Sequence, residues 1–100
     1  MYRADVIDLI AEDPVAHGFF EAVTEVHRTV FCEVRSVTRN EAYQARSVNL
    51  FPEYVFKLSL EDEYKGEKHC IYKNILYDVI RTYMLDDGIE LTVQRSEANG

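Results

Sequence analysis

Thr29-Val-Phe-Cys-Glu-Val-Arg-Ser-Val-Thr-Arg-Asn-Glu-Ala-Tyr-Gln-Ala-Arg-Ser-Val-Asn-Leu-Phe-Pro-Glu-Tyr54 is the stretch on which the architecture turns. It opens with alternation. Val30, Cys32 and Val34 share one face, and Phe31, Glu33, Arg35 and Val37 share the other, because successive side chains of a strand point to opposite sides. The first face is apolar and the second mixed, which predicts a strand that is half exposed on one side. Thr38 to Arg46 is polar and rich in helix formers. Thr38-x-x-Glu41 has the spacing of a capping box, so a turn or two of helix is predicted there. Ser47 to Pro52 is a bridge carrying three apolar side chains, and a second strand begins at Pro52. Long connections inside compact domains are uncommon and often functional, so this crossing is expected to have a task beyond joining two strands.

Working outward, the remaining chain reads as strands and turns. Asp5 to Ile10 predicts a short strand, with a single helical turn as the competing reading of so short an apolar run. Pro14 and Gly18 make Ala11 to Gly18 a loop. The adjacent Phe19 and Phe20 are read as a cap on the core, with a contact patch as the alternative. Glu25 to Val37 is long enough for a complete strand. Glu53 to Leu60 is the clearest one: Tyr54, Phe56, Leu58 and Leu60 point one way, and Val55, Lys57 and Ser59 the other.

Glu61 to Gly66 is a charged turn and Glu67 to Tyr72 a strand. Lys73-Asn74 is a short hairpin turn. Ile75 to Leu85 is a long strand with Tyr77, Val79, Arg81 and Tyr83 on one face. Asp86-Asp-Gly88 is a turn signal, Ile89 to Gln94 the last strand, and the tail from Arg95 is polar and expected to be loose. Short strands at regular spacing, joined by hairpin turns, define an all-β fold. The expectation is one domain over residues 1–100, a small antiparallel β-barrel or sandwich of about six strands with a long loop or short helical crossing between early strands.

Composition narrows the function. The chain has 100 residues, 47% hydrophobic and 29% charged, with four Gly and two Pro. That is the profile of a folded domain with a modest core. Its net charge of -7 argues against a nucleic-acid groove binder, which needs a basic footprint. Arg28, Arg35, Arg39 and Arg46 nevertheless gather in or beside the central crossing, a local contrast with the acidic whole. Met1 to Ile10 carries acids where a secretory leader needs an apolar run, and no apolar run reaches bilayer length. An intracellular chain with reduced thiols and no membrane association is expected.

Catalytic chemistry is sparse. Cys32 and Cys70 are far apart without C-x-x-C spacing, and read as small buried hydrophobes. His17, His27 and His69 lack ligand spacing. His69 and Cys70 are strand neighbours whose side chains diverge, so they form no nucleophile pair. Glu61-Asp62-Glu63 reads as a solvated acidic turn, because the ligand positions and central Gly of a calcium loop are missing. No Gly-rich phosphate loop occurs. The reading is a structural or interaction module, not an enzyme, with no metal and no cofactor.

Val30-Phe-Cys-Glu-Val-Arg-Ser-Val37, Asn40-Glu-Ala-Tyr43 and Asn49-Leu-Phe-Pro-Glu-Tyr-Val-Phe56 resemble the head closure proteins of tailed bacteriophages and prophages of the long-tailed type, also called head–tail joining or stopper proteins. The resemblance continues through Tyr64-Lys-Gly-Glu-Lys68, Tyr77-Asp-Val-Ile-Arg-Thr-Tyr83 and Gly88-Ile-Glu-Leu-Thr-Val93, and includes Ala16-His-Gly-Phe-Phe20. It implies a small β-barrel that self-associates as a ring beneath the portal and its adaptor. The ring closes the DNA-filled head and offers a platform for the tail terminator or tail-completion protein.

The resemblance further implies a loop that reaches toward the channel carrying the double-stranded DNA, placed here in Thr38 to Pro52. Arg39, Tyr43, Arg46, Leu50 and Phe51 are then the candidate channel and subunit contacts. The implied location is the virion head–tail interface, after assembly in the bacterial cytoplasm. Two other readings compete: a ligand- or peptide-binding β-barrel with residues 38–52 as a lid, and a small metal-assisted hydrolase using the histidines.

Overall fold

A computed structural model describes residues 3–17, 20–60 and 64–96, with the side chains of 12–26 outside that description. Six strands form a closed antiparallel barrel in the order β1-β2-β3-β6-β5-β4. They are β1 (Arg3–His17), β2 (Phe20–Ser36), β3 (Pro52–Ser59), β4 (His69–Tyr72), β5 (Ile75–Leu85) and β6 (Gly88–Arg95), and one helix, α1 (Arg39–Arg46), lies between β2 and β3.

Alternation sets what faces inward. Ile7, Leu9, Val30, Cys32, Val34, Phe56, Leu58, Cys70, Tyr72, Tyr77, Leu91 and Val93 fill the barrel. Tyr54, Phe56, Tyr72 and Tyr77 meet there as a ring cluster. Phe56 and Tyr72 stand edge to face with centroids 5.1 Å apart, and Tyr54 and Tyr72 do so at 5.3 Å. Edge-to-face contact suits the aromatic quadrupole and adds to area burial. Both cysteines are buried in this core. Burial pushes the Cys70 thiol up to about 12, with the nearby Cys32 adding to the shift; it is a thiol at neutral pH.

The longest feature is the β1–β2 hairpin. Its two strands pair without interruption from Arg3↔Val34 to His17↔Phe20. The barrel uses only part of that length, since β4 pairs with β1 at Asp8 to Ile10 and β3 pairs with β2 at Glu33 to Ser36. Beyond those contacts the hairpin continues as a two-stranded ribbon. From Ile10 to His17 it extends roughly 24 Å at the usual strand rise, and the molecule's long axis is 48 Å.

The predicted loop over Ala11 to Gly18 is therefore corrected: β1 continues through Pro14, which sits opposite Val23. A ribbon of two strands has a free outer edge on each, and proline is tolerated on an edge because no ladder bond is lost there. Gly18 and Phe19, and the side chain of Phe20, lie outside the described residues, and so does the cap reading built on them.

Three further expectations change. The single face proposed for Tyr77, Val79, Arg81 and Tyr83 is broken by a bulge between Val79 and Arg81. Tyr77 is buried, whereas Arg81 and Tyr83 are exposed; one extra residue reverses the alternation. Glu67 belongs not to β4, which starts at His69, but to the connection ahead of it, where it is buried. The tail is held through Ser96, whose N–H donates to the Leu76 carbonyl at 3.0 Å; residues 97–100 lie outside the description. The Lys73-Asn74 turn is as expected, with φ of 50° and 65°, the left-handed pair that a two-residue hairpin turn requires.

Register assigns the elements to opposite ends of the barrel. The β1–β2 ribbon, the Asp86-Asp87 turn and the connection before β4 leave from one end. Arg3, the β2–α1–β3 crossing, the Lys73-Asn74 turn and Arg95 gather at the other.

Each mouth has its own polar cluster. At the crossing end, Tyr72 Oη donates to Asp5 Oδ2 at 2.8 Å and accepts from Arg3 at 3.2 Å. At the ribbon end, Arg28 meets Glu67 at 2.7 Å, the Lys65 N–H donates to Glu67 Oε1 at 2.8 Å, and Tyr64 Oη donates to the Glu67 carbonyl. Burial raises the Glu67 carboxyl, but Arg28 and the backbone donors outweigh it and leave the pKa lowered. A carboxylate sunk this deep needs such partners.

Candidate functional site

The crossing is a folded element, and its N-terminus shows why. Thr38 Oγ1 accepts from the Glu41 N–H at 3.1 Å, and Glu41 Oε1 accepts from the Thr38 N–H at 2.8 Å, the reciprocal pair of a capping box. Glu41 also takes a two-pronged contact from Arg35 on β2, at 2.8 and 3.1 Å. One carboxylate thus starts the helix and ties it to the barrel wall. At the far end Asn49 adopts φ 63°, and the Leu50 N–H returns to the Ala45 carbonyl at 3.0 Å. These bonds satisfy helix carbonyls that water would otherwise have to cover.

The helix lies over the outer wall. Val55, on the outward side of β3 by parity, is only 1% exposed. Glu41, Ala45, Leu50, Ile80 and Thr92 are among the residues lining a cleft of about 240 Å³ between the crossing and β5–β6. Of the five candidate contact residues, the structure brings three together. Arg39, Tyr43 and Arg46 are exposed and fall at i, i+4 and i+7, one stripe of α1. Tyr43 is 77% exposed, and neither arginine makes an ion pair with a described residue. Leu50 goes to the cleft instead. Phe51 stays 55% exposed, with its N–H held by Gln94 Oε1 at 3.0 Å.

Sequence reasoning missed a second exposed apolar set. Val6 and Phe31 stand directly opposite each other on β1 and β2, and Phe31 is 78% exposed. Alternation had already put Phe31 on the mixed face; the signal it lacked was the β1–β2 register that places Val6 beside it. His69 Nδ1 lies 2.8 Å from Asp78 Oδ1 on the neighbouring strand, while Cys70 points into the core, so the two side chains diverge as expected. Among the described residues no three His, Cys, Asp or Glu side chains form a group able to hold a metal ion. His17 and the Glu61-Asp62-Glu63 cluster lie outside the described side chains. No described helix is long and apolar enough to cross a membrane.

The Glu41 contacts carry a pH signature. Arg35, followed by the Thr38 donors, holds the carboxyl at about 2 against an ordinary 4.5. A lowered folded-state pKa means that the stabilisation is complete above about 4.5 and is lost as pH falls through about 2. With 42% of the Glu41 side chain exposed, solvent screening reduces the effect to about 1 kcal/mol. Glu41→Gln is expected to lower the urea midpoint at pH 7, with the gap to the parent chain narrowing at pH 3 and closing near pH 2. A gap independent of pH would contradict this account.

The fold defines a small closed antiparallel β-barrel with a projecting hairpin and a helical strap on its outer wall. Scanned against protein-family models the chain matches none, and a search of curated proteins returns no match.

Proposed function

We propose that this chain is a structural connector subunit of a tailed phage or prophage particle. It docks as a ring beneath the portal-bound adaptor, closes the DNA-filled head and presents a platform to the tail terminator or tail-completion protein. The observation that carries the reading is the division of the molecule into a compact barrel and one long ribbon leaving a single end, in a chain whose sequence resembles head closure proteins over most of its length. A ring wall needs a rigid body, and closing a channel needs a segment that reaches beyond it.

Within that reading we assign the roles to particular elements. The crossing at 38–52 is folded against the barrel wall, so we assign it to contacts between subunits or with the adaptor. The reach toward the channel goes to the β1–β2 ribbon. A net charge of -7 suits a wall that double-stranded DNA must pass without adhering, since tight phosphate binding requires clustered basic groups.

The test is made on particles. The chain is deleted from its parent phage or prophage, the lysate is imaged by electron microscopy, and the chain is then supplied in trans. Heads that have lost their DNA, beside free complete tails, are expected, with tailed particles restored on complementation. Normal tailed particles from the deletion would overturn the assignment.

A further inference from the structure

Two exposed surfaces of the barrel have matching patterns. On the outer face of β1–β2, paired residues point the same way across the two strands. Successive levels along the ribbon present Asp8 with Thr29, Val6 with Phe31, and Ala4 with Glu33. The pattern along the strands is acid, apolar pair, acid. Asp8 accepts from Thr29 Oγ1 at 2.5 Å, which fixes its carboxylate at that level. From the Thr29 level to the Glu33 level is about 14 Å at the strand rise.

On α1 the exposed stripe reads Arg39, Tyr43, Arg46: base, aromatic, base. Arg39 and Arg46 are seven positions apart, about 10 Å along the axis, and their long side chains span the difference. The helix itself is fixed by its cap and by the Arg35–Glu41 contact, so the stripe is presented without a large ordering cost.

We infer that the Arg39–Tyr43–Arg46 stripe of one copy docks on the Asp8–Val6/Phe31–Glu33 face of the next copy, with Tyr43 against Phe31 and the arginines toward the two carboxylates. The charge complementarity names the occupant. A basic–apolar–basic stripe on α1 and an acidic–apolar–acidic face on β1–β2 occur on the same chain at compatible spacing. Where two copies share only one such contact it is head-to-tail, and it propagates or closes into a ring when the rotation allows; a two-fold dimer would need both reciprocal contacts at once. Exposed aromatic residues at the centre with charges at the rim follow the usual anatomy of a protein interface. Two positive charges flank Glu33 on this face: Arg35, two residues on along β2 and held by Glu41 at 2.8 Å, and Lys57, cross-strand from Glu33 and engaged by Asp87 at 3.2 Å. The inference rests on the connector reading only in requiring neighbouring copies, and it is tested on purified chain, so either can fail alone.

The experiment uses cysteine trapping. Tyr43→Cys and Phe31→Cys variants are purified separately, mixed at a total concentration on the order of 1 mM, where weak contacts are populated, and oxidised briefly. The native Cys32 and Cys70 are buried, and the unsubstituted chain measures their background. The expected result is a mixed Tyr43→Cys/Phe31→Cys disulfide dimer at least fivefold above either variant oxidised alone. Charge reversal provides the second arm. Arg39→Glu with Arg46→Glu in the Tyr43→Cys partner is expected to bring trapping down to background, and Asp8→Lys with Glu33→Lys in the Phe31→Cys partner to restore it. Mixed trapping no greater than either variant alone would overturn the inference, as would reversal without effect or without restoration. The two faces would then belong to other partners.

Discussion

Phe56→Ala is expected to cost about 4 kcal/mol, the range for emptying a fully packed aromatic site. Phe56 has no exposed surface, lies 5.1 Å from Tyr72 edge to face and stacks on Tyr54 at 6.1 Å. Its loss removes the apolar transfer term and leaves a cavity. The neighbours are poorly placed to collapse into it. Tyr72 is tethered by its hydroxyl to Asp5 at 2.8 Å, and Tyr77 by its own to Glu53 at 3.4 Å. Domains of this size have a total stability of about 5–15 kcal/mol, so the variant should unfold at much lower urea and lose cooperativity near physiological temperature. The check is equilibrium urea unfolding followed by far-UV circular dichroism. A loss below about 1.5 kcal/mol would mean that the cavity collapses and the ring cluster is looser than described.

Gly88→Ala should be nearly as damaging, for a different reason. Gly88 begins β6 opposite Ser59 on β3. A Cβ built there would come within 2.1 Å of the Leu58 carbonyl oxygen and 3.1 Å of its carbon. The obstacle is backbone at the end of the β3–β6 ladder, not the tip of a flexible side chain, so β3 and β6 must separate or slide there. Overpacking costs about 1–3 kcal/mol where side chains can move, and a value at or above about 3 kcal/mol is expected where the ladder itself is displaced. The same position also ends the Asp86-Asp87 turn, so the β5–β6 hairpin is the element that should loosen. Hydrogen exchange on Gly88→Ala is expected to show faster exchange along Ser59 and Ile89 than at Val34 on β2. Parent-like exchange with an unchanged midpoint would refute the close approach.

Much of the barrel was legible in short-range pattern. The alternation at Val30, Cys32 and Val34 and at Tyr54, Phe56 and Leu58 named the inward faces, and all six side chains pack against the interior, whereas Leu60, read onto the same face, lies past the end of β3 and is 56% exposed. The Thr38-x-x-Glu41 spacing named a capping box whose two bonds are both present. Lys73-Asn74 and Asp86-Asp87 named two hairpin turns. These features depend on residues a few positions apart, where steric and hydrogen-bonding preferences act without help from the rest of the chain.

The candidate site was only half legible. Arg39, Tyr43 and Arg46 follow from helical spacing once the cap is recognised. The burial of Val55 does not, because it depends on where α1 lands. The same holds for Val6 beside Phe31, the charge-paired burial of Glu67 by Arg28, and the reversal of faces at the β5 bulge.

Taken alone, then, the sequence determined the barrel segments of most strands, the apolar faces of β2 and β3, and where the crossing helix begins. Tertiary structure alone decided that the sheet closes, that Pro14 lies within a ribbon extending past the barrel, and which exposed groups share a surface. The physical reason is range. Periodicity and caps are read from neighbours along the chain, whereas closure, register and the covering of one element by another depend on pairings such as Asp8↔Ile71 and Val34↔Phe56, whose partners no local pattern specifies.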